Sequence, residues 1–329
     1  MAVSVGILGY GRYVPDLRVT NEELALKFGT TAEKIERKAG IKARSLAPPN
    51  IATSDMAALA SLEALKNTGT DPSEIGMILV ATTTPDMVFP STACLVQKAI
   101  GAKNAAALDI SAACTGFMYG LDMAACYVSS GRFEKVLLIG AETYSRITNP
   151  DDLNTSVLFG DGAGAVVIGQ VPDGFGVLDS ILGAEGEDGM LLSIPAGGSR
   201  MPLTRELLEN KLNTIMMSGR EVFEFAINIL EKMINQILSR NSLNLSDISL
   251  IVPHQANKRI LLNVSNNMNI PPEKLYCNIE YYGNMSAASV PVALTEAAFE
   301  GRIKKGDLLL LVAFGAGFTW GANLLKWGW

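Results

Sequence analysis

The chain has 329 residues, 48% of them hydrophobic and 18% charged, with 31 glycines and a net charge of −6. Such a length and apolar content suit two domains or one large α/β unit with ample core. The acidic balance argues against a general nucleic-acid binder, which needs a basic footprint, and the single histidine, His254, excludes any mechanism that requires two.

The first residues, Met-Ala-Val-Ser-Val-Gly-Ile-Leu-Gly, lack the basic and long apolar regions of a signal peptide. The longest apolar stretch, 308–318, falls short of the ~20 residues that span a bilayer. A cytoplasmic protein that does not enter the membrane is expected. Gly6-Ile-Leu-Gly-Tyr-Gly11 fails the dinucleotide-binding spacing and reads as a tight turn. A helix is expected over 53–67, then buried strands over 77–82 and 105–110. A helix over 114–130 and strands over 136–140 and 163–169 follow. Gly160-Asp-Gly-Ala-Gly164 has no following Lys-Ser/Thr and also reads as a tight turn rather than a phosphate loop. Beyond it come a helix over 221–239, a strand over 249–253, a helix over 286–300 and a strand over 308–314. Continuous apolar runs alternating with helices predict mostly parallel sheets buried on both faces.

The two halves of the chain correspond. Cys114, a helix, Gly131-Arg132 and an apolar strand are matched by Asn284, a helix, Gly301-Arg302 and an apolar strand, with the same 17-residue interval (131 − 114 = 301 − 284). An internal duplication follows, with halves 1–172 and 173–329 packed about a pseudo-twofold axis. It assigns Cys114 and Asn284 to equivalent places and brings both, with His254 at a strand end, to one cavity.

The chemistry of these residues is suggestive in combination. Cys114 at a helix start is either an inert buried thiol or a nucleophile whose pKa the helix N-terminus lowers. The other cysteines, Cys94, Cys126 and Cys277, read as structural, a pattern suited to a reducing compartment. Asn284 is either a turn and helix cap or, with a neutral His254, one of two donors to a carbonyl that becomes an enolate. The turn Gly315-Ala316-Gly317 offers backbone N–H groups that, with that of Cys114, would form an oxyanion hole. No histidine/cysteine cluster has metal-ligand spacing, so no metal is expected.

Ser-Ala-Ala-Cys114-Thr-Gly-Phe, Val-Pro-His254-Gln-Ala-Asn, Gly-Asn284-Met-Ser-Ala-Ala-Ser-Val-Pro and Ala-Phe-Gly-Ala-Gly-Phe-Thr-Trp-Gly resemble the β-ketoacyl-ACP synthase III family. The resemblance extends over the whole chain, including Phe89-Pro-Ser-Thr-Ala and Leu-Phe-Gly-Asp-Gly-Ala-Gly. It implies a thiolase fold, layered α-β-α-β-α, and a homodimer. It also implies catalysis by Cys114, His254 and Asn284, with the N–H groups of Cys114 and Ala316 holding the oxyanion. The substrates implied are an acyl-CoA starter and malonyl-ACP, with no cofactor beyond them. Phe89 is implied in the acyl pocket, its own or the neighbouring subunit's. Arg259, Lys258, Asn257 and Lys38 are implied in CoA or carrier binding. Elongating relatives use two histidines and degradative thiolases a second catalytic cysteine; Cys-His-Asn excludes both. The sequence departs from the family at its binding surfaces. Lys34 stands where relatives stack a tryptophan on adenine, Lys38 and Leu153 replace arginines, and Glu224 and Asn266-Asn267 replace basic carrier-docking residues. These departures leave open a specialised relative serving a polyketide, quinolone or biotin pathway. An acyltransferase with another acceptor and a non-catalytic acyl-binding subunit are further alternatives.

Overall fold

The computed structural model describes residues 3–328. Its frame is two mixed sheets. The first runs in the order Val5–Tyr13, Asp161–Gln170, Lys135–Thr143, Met77–Ala81, Ala106–Ile110. The second runs Gly176–Ala184, Thr319–Lys326, Leu308–Gly315, Leu250–Pro253. The orders correspond strand for strand, and even the missing fifth strand leaves a trace in one parallel bridge between Ile251 and Leu275. In each sheet only the strands nearest that end are parallel: Met77–Ala81 with both its neighbours, and Leu250–Pro253 with Leu308–Gly315. The remaining pairs are antiparallel, which corrects the expectation of mostly parallel sheets. The strands missed in sequence, Val5–Tyr13, Gly176–Ala184 and Thr319–Lys326, are all in antiparallel pairs. All three mix glycine or polar residues into their apolar run, which hides the buried-strand signature.

Helices fill three layers. Thr53–Thr68 and Thr92–Ile100 cover the outer face of the first sheet, while Gly219–Arg240, with Lys258–Met268 packed beside it, covers the second. Gly116–Ser129 and Ser289–Phe299 lie between the sheets and touch both. Strands such as Leu308–Gly315 are therefore buried on both faces and almost wholly apolar.

The glycine-rich segments serve this layering. Gly6–Gly11 is strand, not turn: a Cβ on Gly9 or Gly11 would lie 2.7 Å from the Ala64 carbonyl oxygen or 2.5 Å from that of Ala60, on the outer helix. Gly162 and Gly164 are likewise strand, and a Cβ on Gly164 would meet the backbone of Pro291 at 2.7 Å. Glycine in these strands admits a neighbouring backbone rather than a turn or a phosphate.

The duplication is displaced by three residues from the expected alignment. Each central helix follows a 3-10 turn, Ala113–Thr115 and Ser286–Ala288, opened by a non-glycine residue at φ +47°, Ala113 and Ser286. Matching these turns makes Ala287, not Asn284, the counterpart of Cys114. The equal 17-residue interval arose because the second helix is shorter, so a register taken from its terminal glycine slips. Asn284 instead precedes its turn, in a segment whose backbone is clamped by residues 158–160.

Candidate active site

The two turns meet where the halves face each other. Ala113–Thr115 packs on Ser286–Ala288, and the latter presses on the strand Lys135–Thr143 so closely that a Cβ on Gly140 would lie 2.2 Å from the Ala287 carbonyl oxygen. The loop between Leu308–Gly315 and Thr319–Lys326 closes the third side: a Cβ on Gly315 would approach the Cys114 backbone nitrogen to 2.9 Å. Hydroxyls of Thr115 and Thr319 lie 2.8 Å apart and tie that loop to the cysteine turn. A cavity of about 290 Å³ opens at this junction, and Cys114, His254, Asn284, Gly315 and Ala316 all line it. Its walls are mostly apolar, with Phe159, Ile215, Val222 and Phe314 among them, and Thr83 and Tyr144 add hydroxyls.

His254 extends the strand Leu250–Pro253 by one residue, its N–H donating to the Val312 carbonyl at 2.7 Å. Its ring stands edge-on to Phe314 at 5.7 Å, is 1% exposed and has no partner at Nδ1. Burial alone pushes its pKa down to about 3, because a charged imidazole there would lose its hydration without a counter-ion. His254 is a neutral hydrogen-bonding group and a weak base. The next residue, Gln255, bonds Pro253 O and Tyr276 O through Nε2 and accepts from Asn278 N–H through Oε1. That buried amide holds the strand end rigid.

Asn284 is fixed at three points. Its N–H donates to Leu158 O at 2.8 Å, its carbonyl accepts from Gly160 N–H at 2.9 Å, and its Oδ1 accepts from Ser286 N–H at 2.8 Å. With Oδ1 committed to an acceptor role, Nδ2 is the amide atom left to donate.

Cys114 overturns one expectation. Its thiol is pushed up to about 12, not lowered. Burial is the largest cause and the nearby Glu142 carboxylate adds to it, while the Ser286 hydroxyl acts in the opposite sense. Removal from water beside a carboxylate is what raises it.

Expected binding residues divide. Lys38, Asn257 and Arg259 line a second cavity of about 480 Å³ that shares Met217, Phe223 and Asn257 with the first and forms its outer end. There Lys38 bonds the Asn154 amide oxygen at 2.9 Å, Asn257 caps its helix by accepting from Arg259 N–H, and Arg259 lies over the Phe223 ring. Arg220, unmarked in the sequence reading, lines it too and pairs with Glu224. Lys258 lines neither cavity: Glu280 holds its ammonium at 2.6 Å and binds Lys42 as well. Leu153 turns into an apolar cluster with Leu24, Ile35 and Val157. Phe89 is 81% exposed and does not line its own chain's cavity. It sits instead with Met87 and Val88 on a protruding apolar loop. Glu142 was also missed. Its signal was a buried-strand run, Val136 to Ala141, that continues into a carboxylate.

Among the described residues no cluster of His, Cys, Asp and Glu could hold a metal, and no helix is long and apolar enough to cross a membrane.

Comparison with known proteins agrees with this arrangement. Residues 108–186 match the model for 3-oxoacyl-[acyl-carrier-protein (ACP)] synthase III, and residues 238–327 match that for its C-terminal part. The chain is 50% identical over 325 residues to a β-ketoacyl-[acyl-carrier-protein] synthase III of Caldanaerobacter subterraneus subsp. tengcongensis, covering 99% of this chain and 98% of that protein. It is 48% identical to a Clostridioides difficile protein described in the same words, covering 99% of each. The crystal structure of 3-oxoacyl-[acyl-carrier-protein] synthase III from Aquifex aeolicus superposes with a TM-score of 0.91 at 42% identity, covering 98% of this chain and all of that one. With its two matched sheets, central helix pair and full-length likeness, this chain has the thiolase fold and belongs to the β-ketoacyl-ACP synthase III family, acyltransferases that initiate fatty-acid synthesis.

Proposed function

We propose that the chain condenses a starter acyl-CoA with malonyl-ACP, with Cys114, His254 and Asn284 as its catalytic residues. One observation carries the assignment of residues: the thiol, the neutral imidazole and the oriented amide line a single largely apolar cavity. In the first stage the Cys114 sulfur attacks the starter thioester and CoA leaves. Malonyl-ACP then places its thioester carbonyl against His254 and Asn284 Nδ2. Loss of carbon dioxide puts negative charge on that carbonyl oxygen, and the two donors stabilise it as it develops. A neutral imidazole suits this role because it carries an N–H without needing a counter-ion. The resulting carbanion attacks the acyl-cysteine, and the N–H groups of Cys114 and Ala316 receive the oxyanion. Contact between Gly315 and the Cys114 backbone supports that pairing.

Phe159, Ile215 and Tyr144 form one apolar cluster at the cavity wall and hold the starter chain. Lys38, Asn257, Arg259 and Arg220 receive the phosphate-bearing arm of CoA or of the carrier at the outer end. The chain acts as a homodimer of two-half subunits, 1–172 and 173–329, in the cytoplasm, where its four free cysteines stay reduced. The half-exposed edge strand Ala106–Ile110 and the apolar loop at Met87, Val88 and Phe89 support the dimer, because an open edge and an exposed apolar patch both invite cover. Phe89 then enters the partner's acyl pocket.

The test is intact mass after incubation with acetyl-CoA and longer acyl-CoAs. An acyl adduct is expected on the wild type and not on Cys114→Ser, and release of carbon dioxide from malonyl-ACP is expected to fall on His254→Ala or Asn284→Ala. No adduct from any thioester, or normal decarboxylation by His254→Ala, refutes the assignment.

A further inference from the structure

Among the described residues the largest fully buried side chain is a cation. Arg44, 1% exposed, lies in the short strand Ala43–Ser45. Its Nη1 donates to Asn21 Oδ1 at 2.9 Å and to Val19 O at 3.4 Å, and its Nη2 donates to Val157 O at 2.6 Å. Those acceptors are all neutral. Among the described residues no carboxylate comes within ion-pair distance of the guanidinium, and its Nε has no partner. Burial pulls its pKa down to about 10, so the group stays charged at neutral pH. A charge taken out of water is costly unless an opposite charge meets it.

Arg44 lines a cavity of about 190 Å³ that shares Phe159 with the catalytic cavity. Ser156 lines it too, and its buried hydroxyl is likewise without a partner. The other polar groups there are committed. Ser145 gives its hydroxyl proton to Asp161, which also accepts from the N–H groups of Ser145 and Ala47. Thr148 donates to Tyr144 O, and the half-exposed Lys27 binds Pro150 O and Asp151. Among the described residues no aspartate or glutamate lines this cavity, and Val19, Leu24, Leu46 and Phe159 make its walls largely apolar. A buried cation and a free hydroxyl thus face one apolar space.

We propose that this cavity binds a short-chain carboxylate, its anionic end on Arg44 Nε and the Ser156 hydroxyl and its alkyl part against Val19, Leu24, Leu46 and Phe159. The site is separate from the acyl-transfer chemistry and does not depend on it. One guanidinium and one hydroxyl suit a singly charged group, and the apolar walls suit an alkyl tail better than a free phosphate. Phe159 forms a wall of both cavities and packs on Tyr144 at 5.0 Å, so an occupant braces the catalytic cavity from outside.

The experiment is urea unfolding of the full-length protein at pH 7.5 and fixed ionic strength, with sodium butyrate, phosphate or chloride varied. Butyrate is expected to raise the unfolding midpoint along a saturating curve, as a ligand of the folded state does. Phosphate should give at most the linear rise of an excluded salt, and chloride no rise. Ser156→Ala should weaken the apparent butyrate affinity about tenfold, the effect of losing one hydrogen bond to a charged group, and Arg44→Gln should abolish the response. Ser156→Ala carries the test if the arginine variant fails to fold, since that hydroxyl has no partner in the fold. A response to butyrate that does not saturate, or that chloride matches, overturns the site. Unchanged affinity in Ser156→Ala places butyrate elsewhere and overturns it as well. Phosphate bound more tightly than butyrate overturns the carboxylate assignment.

Discussion

His254 is the one histidine of the chain, so its protonation can be read without assignment. The perturbation is acidification. The unfolded chain binds the histidine proton near pH 6.5, whereas the folded chain resists it until about pH 3. A histidine whose pKa falls on folding costs stability as the pH drops: the loss begins near 6.5 and is complete only below about 3. Between pH 7.5 and 5 the cost is about 2 kcal/mol, since RT ln(1 + 10^1.5) at pH 5 greatly exceeds its value at pH 7.5. Glu142 works the other way across the same window. Its pKa rises on folding from 4.5 to about 7, so the folded chain gains a proton first as pH falls. A bare pH–stability curve would blend the two effects. The measurement is therefore a difference: urea unfolding of the wild type and His254→Gln at pH 7.5 and 5. The wild type should lose about 2 kcal/mol more than the variant. In parallel, the imidazole resonance of a histidine-labelled sample should stay at its neutral position through pH 5. A midpoint near 6.5, or equal losses in both proteins, would refute the neutral-donor account of His254.

Two further outcomes follow from packing. Gly140→Ala places a methyl 2.2 Å from the Ala287 carbonyl oxygen, and backbone cannot yield as a flexible side chain would. A loss of about 1–3 kcal/mol is expected in urea unfolding, and acylation of Cys114 should slow as the turn Ser286–Ala288, packed on the cysteine turn, is displaced; an unchanged stability would show the contact to be adjustable. Ile215→Ala removes bulk from the wall shared with Tyr144 and Phe159. The acylation panel should shift toward longer starters, and an unchanged chain-length profile would place the acyl chain elsewhere.

Much of the architecture was legible in the sequence because burial leaves a local mark. Runs such as Leu308 to Val312 have no polar side, are short and are bounded by turn residues, which marks strands covered on both faces. The central helices were recognisable from their small residues, and the likeness of the halves survives in the matching strand orders. Glycine misled at Gly6–Gly11 and Gly160–Gly164, since a residue that permits a turn also permits a neighbouring backbone. The duplication was visible but its register was not. Insertions and deletions leave no trace in an interval that happens to match, and only the backbone conformations of Ala113 and Ser286 show which positions correspond.

The sequence by itself determined the fold class, the family and the residue types able to perform the chemistry: one nucleophile, one imidazole and one amide in characteristic local contexts. Tertiary structure decided their states. Cys114 stands at a helix start, which argues for an acidic thiol, but burial beside Glu142 raises its pKa instead. The Asn284 amide is oriented by Ser286, and the ammonium of Lys258 is paired with Glu280. Each of these depends on distances between residues far apart in the chain. Solvation and electrostatics are set by what surrounds a group in space, and the order of residues along a chain does not contain that directly.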